Sequence, residues 1–135
     1  MIGLDTNVLV RYIAQDDAAQ SPKASTLIES LTVDEPGYVT QVALVEVVWV
    51  LSSLYAADRD QIAKVVEGLL RTKELSVEAA ETVWKALRVF SSSKADFADC
   101  LIERGCHDAH CEYTATFDAK AGKSASLRLL TSFPP

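Results

Sequence analysis

The stretch Gln41-Val42-Ala43-Leu44-Val45-Glu46-Val47-Val48-Trp49-Val50-Leu51 constrains this chain more than any other, because it is apolar on every side except at Glu46. Wound as a helix, such a run has no polar face and is expected inside the protein. A carboxylate buried there without a partner costs several kcal/mol, so Glu46 must be protonated, paired or bound to a metal. The placement of the other acids favours a metal.

A length of 135 residues suits a single domain, residues 1–135, with a real core. Hydrophobic residues make up 49% of the chain, against five glycines and four prolines, so a globular and not a disordered chain is expected. No linker-like stretch, repeat or charge block marks a boundary. No apolar run approaches the roughly 18 residues of a membrane span, and Asp5 and Arg11 break the N-terminal one. The opening Met1-Ile2-Gly3-Leu4-Asp5 lacks the basic region of a signal peptide, which makes the cytoplasm the expected address. The three cysteines, Cys100, Cys106 and Cys111, are odd in number and clustered late, which suits a reducing compartment. A net charge of −6 argues against nucleic acid as a partner. Nucleic acid is readmitted if Asp5, Glu46, Asp96, Asp99 and Asp118 fill one metal pocket, because the remainder is then close to neutral.

Short strands alternate with helices. Ile2 to Leu4 is expected as a strand ending at Asp5, Val8 to Ala14 as a helix, and Ser21-Pro22 as the start of a second helix reaching about Leu31. Pro36-Gly37 is a turn, Tyr38 to Thr40 a strand, Gln41 to Tyr55 the apolar helix, and Asp58 to about Leu70 another. Ser76 is placed as N-cap of a helix over Val77 to Phe90, with Glu78 as an acid in its first turn. Asp96 starts a helix to about Ala109, and Tyr113 to Phe117 and Leu127 to Leu130 are the last strands. Such alternation predicts an α/β fold with a short, mostly parallel sheet flanked by helices. Sites in such sheets form at the carboxyl ends of strands, so Asp5 and Asp118 are expected at one edge.

Each acid has an ordinary alternative. Asp96 and Asp99 are three residues apart at a helix start, where capping and the helix dipole favour acids. Asp99 leads into the apolar Cys100-Leu101-Ile102 and fits the capping role less well. Asp5 could cap the helix after it, and Asp118 could make an Asx-turn. Glu46 has no comparable alternative. Four or five carboxylates at one spot repel unless cations intervene, and all-oxygen ligands select Mg²⁺ or Mn²⁺. The chemistry such a site supports is metal-assisted phosphoryl transfer.

Met1-Ile2-Gly3-Leu4-Asp5-Thr6-Asn7-Val8-Leu9-Val10-Arg11-Tyr12 resembles the opening of PIN-domain ribonucleases of the VapC toxin kind. Glu46 in its apolar helix, Ala95-Asp96-Phe97-Ala98-Asp99 and Thr116-Phe117-Asp118 follow in that family's order, so the resemblance covers essentially the whole chain. It implies a PIN-like three-layer fold and a Mg²⁺-dependent (Mn²⁺ possible) endoribonuclease toxin of a type II toxin–antitoxin pair. The partners implied are a VapB-type antitoxin and RNA, with a homodimer and a larger toxin–antitoxin assembly. Carried over by position, the catalytic and metal acids are Asp5, Glu46, Asp99 and Asp118, with Asp96 beside them. Thr6, Asn7 and Thr116 are supporting residues, Asn7 orienting Asp5, and Arg11 and Lys120 are candidate phosphate contacts. The alternative is a non-catalytic PIN-like RNA- or protein-binding module. Loss of the acids marks such modules, and here every acid is present. A phosphatase with an aspartyl nucleophile typically wants a second Asp where this chain has Asn7.

Cys106-His107 and His110-Cys111 suggest zinc, but their spacing matches no common zinc module, and a structural role is expected. Trp49 and Trp84 lie in apolar helical patterns and are expected as packing residues.

Overall fold

The structure is a computed structural model that describes residues 1–119 and 127–130. The chain falls into two compact units, Met1–Ala80 and Glu81–Pro135.

In the first unit, β1 (Ile2–Gly3), β2 (Gly37–Val39) and β3 (Leu75–Val77) form a sheet in that order, parallel throughout. Around it in sequence run α1 (Thr6–Ala14), α2 (Gln20–Glu29), α3 (Gln41–Leu54) and α4 (Arg59–Arg71). Leu4, Leu9, Val39, Leu44, Val47, Ile62 and Val66 are among its buried core residues. Gly37 sits where a Cβ would come within 2.7 Å of Leu4 Cδ1 and 2.8 Å of Leu31 Cδ1, so any other residue there would push two core leucines aside. Asp58 opens α4 with a full capping box, accepting from Gln61 N–H while the Gln61 side chain accepts from Asp58 N–H.

Three expectations fail here, two of them for one reason. α3 buries Ala43, Leu44, Val47, Val48 and Leu51, but Glu46 is exposed, with Val42 (69%) and Trp49 (63%) on either side of it. Residues 42, 46 and 49 form one stripe at helical spacing, and the helix hides only its other side. A run without polar residues cannot announce which stripe faces out. Glu46 is therefore not a buried carboxylate, and Trp49 is not a packing residue. Ser76, expected as an N-cap, pairs with Tyr38 inside β3, and the next helix begins at Ala80. Glu78 follows that strand and caps α3, where its carboxylate accepts from Gln41 N–H at 2.8 Å beside the Thr40 hydroxyl, which accepts from Ala43 N–H.

The second unit holds α5 (Ala80–Ser92), which starts at the boundary, α6 (Phe97–Asp108), β4 (Ala115–Thr116) and β5 (Arg128–Leu129). β4 and β5 pair in parallel as their own two-stranded sheet, with Ala115 opposite Arg128. Asp5 and Asp118 thus follow strands of different sheets, and not one shared edge. Phe90 and Phe97 meet edge to face with centroids 5.8 Å apart, among buried Val83, Leu87, Cys100 and Leu101. The Arg128 guanidinium lies 3.7 Å over the Tyr113 ring.

α6 ends in a Schellman motif. His110 takes a left-handed φ of 66°, its N–H bonds to His107 O at 3.0 Å, and Cys111 N–H bonds to Cys106 O at 3.0 Å. Parallel pairing throughout and helices between the strands make this the α/β fold expected from the sequence.

Candidate metal centre

Asp5 leaves β1 and stands at the N-cap of α1 in extended conformation, yet its side chain makes no capping bond. That sets aside the capping alternative for Asp5: the carboxylate sits where the dipole of α1 favours an anion, and no donor among the described residues takes it up. Because Gly3 pairs with Tyr38, Asp5 and the Thr40 N-cap of α3 lie at the same end of the first sheet. Glu46 is exposed on α3. Thr6 is buried in the first turn of α1, whereas Asn7 is exposed and no hydrogen bond joins it to Asp5. Arg11 is taken up by acids of its own unit: its guanidinium lies 3.7 Å from Asp16 and 4.0 Å from Asp17, and its Nε donates to Gln20. An arginine so occupied is a weak candidate for RNA phosphate.

In the second unit three acids interact. Asp96 is the N-cap of α6, its carboxylate accepting from Ala98 N–H at 3.3 Å, so the ordinary reading of Asp96 holds. Asp99, half-buried in the first turn, has its pKa raised, chiefly by burial and then by the charges of Asp96 and Asp118. Burial and like charge thus oppose its ionisation at a helix end whose dipole favours an anion. The Asp118 N–H donates to the Thr116 hydroxyl at 3.0 Å, so Thr116 shapes the turn that presents Asp118. Lys120 lies outside the described residues.

Whether these side chains suit a cation is a question of donors and of distance. The donors are carboxylate oxygens, the set that selects Mg²⁺ or Mn²⁺, and Asp99 has neither cation nor donor beside it among the described residues. Among the same residues no three Asp, Glu, His or Cys side chains stand at ligand spacing. The acids fit such an ion in kind. Cys106, His107, His110 and Cys111 occupy the last turn of α6 and its Schellman cap.

The sequence offered no sign of a partnered acid at the far end of α6. Asp108, at the other end of α6, accepts from the Thr82 hydroxyl and lies 3.6 Å from Lys85 Nζ and 3.7 Å from His107 Nδ1. Its pKa is lowered, first by the Thr82 bond. Thr82 and Lys85 are spaced at i, i+3 on α5, a pattern too common to signal anything.

No helix among the described residues is long and apolar enough to cross a membrane. The chain is 26% identical over 98 residues, 73% of each protein, to a VapC ribonuclease of Aquifex aeolicus (strain VF5). It matches the PIN domain family over residues 2–125, a span that takes in both units and all five acids. The chain belongs to the PIN-domain family.

Proposed function

We propose that this chain is a divalent-metal-dependent endoribonuclease of the VapC kind, the toxin of a type II toxin–antitoxin pair, with residues 1–135 acting as one PIN domain. The observation that carries the reading is Asp99: a half-buried carboxylate beside two other acids, its pKa raised, with no cation among the described residues to relieve it. Membership of the PIN family and similarity to a VapC ribonuclease support it.

Asp5, Glu46, Asp99 and Asp118 would hold the ion, with Asp96 beside them. Bound Mg²⁺ or Mn²⁺ supplies an activated water and neutralises charge on the phosphodiester. Asp96 fixes the first turn of α6 and hence the position of Asp99. Thr116 holds the turn before Asp118, and buried Thr6 anchors the first turn of α1 beside Asp5. The exposed apolar stripe of Val42 and Trp49 supports a protein partner, a second copy or an antitoxin. An antitoxin segment carrying an Arg would pair with the same acids and compete with the ion.

The test is to incubate purified protein with total RNA, with Mg²⁺ and with chelator, and to sequence the cleaved ends. Defined ends that require the metal and vanish in Asp5→Asn support the reading. RNA retained but uncut would favour the non-catalytic binding module.

A further inference from the structure

Cys106 and Cys111 occupy the C3 and C″ positions of the Schellman motif that ends α6, the two positions whose side chains commonly touch. The Cys111 N–H bonds to Cys106 O at 3.0 Å, and His110 between them holds the left-handed conformation that folds the chain back. Such a closed turn brings two Cα atoms towards the separation of about 4.4–6.8 Å that a disulfide needs. Both thiols are free, Cys111 exposed and Cys106 partly so, whereas Cys100 is buried on the same helix. The pair has no metal cluster to serve among the described residues.

We propose that Cys106 and Cys111 are an oxidisable pair that closes an intramolecular disulfide across the end of α6. The oxidant is a small-molecule disulfide such as glutathione disulfide. The Cys111 thiolate attacks one sulfur of that disulfide, forming a mixed disulfide and releasing one glutathione thiolate. The Cys106 thiolate then attacks Cys111 sulfur, forming the protein disulfide and expelling the second glutathione. Two electrons pass from the protein to the oxidant, and the two thiol protons go to the released thiolates. Oxidation stiffens the segment that leads from α6, which begins beside Asp99, towards β4 and Asp118. The loop is short, so the bond adds little stability and acts as a reversible clamp. None of this depends on the nuclease reading.

The full chain is equilibrated in glutathione buffers of graded ratio, acid-quenched, alkylated and mapped by peptide mass. The expected product links Cys106 to Cys111 and leaves Cys100 reduced. Cys106→Ser and Cys111→Ser, both outside the buried core, should each stop at a single mixed glutathione disulfide. The folded chain should close the loop at least about tenfold more favourably than the same chain in urea, because the turn raises the effective concentration of the two thiols. Mixed disulfides on both thiols, a link between two chains, or equal closure in urea would each overturn the proposal.

Discussion

The two ends of α6 treat their acids in opposite ways. At its C-terminus, where the helix dipole disfavours an anion, Asp108 is supplied with a hydroxyl from Thr82, the ammonium of Lys85 and the imidazole of His107, and its pKa falls. At its N-terminus, where the dipole favours an anion, Asp99 is given burial and two more acids, and its pKa rises. An acid kept for architecture is matched with partners inside the chain. An acid that the described residues leave in repulsion is, in the proposed function, one whose partner is a bound cation.

Replacing acids at the N-terminal end should cost catalysis most. Asp99→Asn and Asp5→Asn each lose a proposed ligand to the metal, and RNA cleavage should fall by about 10³-fold, since a metal's charge stabilisation is worth several kcal/mol. Cleavage within tenfold of wild type in either variant would remove that residue from the site. Asp96→Asn should fall far less, because Asn caps nearly as well, with at most about 1 kcal/mol lost in thermal unfolding. A ranking with Asp96 above Asp99 would make the cap the ligand.

Without metal, stability should separate the two ends by pH. The raised pKa of Asp99 means that its ionisation opposes folding. The penalty is absent below the ordinary carboxylate range, grows as pH rises through the unfolded value, and is complete above the folded one. Asp99→Asn should therefore melt above wild type at neutral pH and together with it in acid. Asp108 has the opposite sign: its lowered pKa adds stability above the unfolded value that is lost as pH falls through the folded one. Thr82→Val should lower the melting temperature slightly at neutral pH, the smallest of these effects, and not at all in strong acid. The same pH trend at both ends would break the contrast.

The parts of this contrast differ in how far the sequence revealed them. The N-terminal acids were legible because a strand end or a helix start carries its own local signals, as at Asp5 and Asp96. The Asp58/Gln61 capping box is legible in the same way, from an acid followed three residues later by Gln. Glu46 was legible as a candidate for the wrong reason. Its apolar surroundings suggested burial, yet exposure of one stripe depends on which tertiary neighbours arrive, and apolar residues all round carry no record of that. β3 was hidden inside an apparent helix because Leu75-Ser76-Val77 is too short for its alternation to compete with the helical pattern after it. The Asp108 network joins residues distant in sequence, and only the packing of α5 on α6 creates it.

The most direct test of the central claim, the proposal that Asp99 shares a divalent cation with the other acids, is a set of melting temperatures of metal-free and Mn²⁺-saturated protein. Wild type should rise on adding Mn²⁺, because an ion that binds only the folded state stabilises it by mass action. Asp99→Asn should start above metal-free wild type and gain much less, and Glu46→Gln should also gain less than wild type. Equal Mn²⁺-induced shifts in wild type and Asp99→Asn would contradict the account.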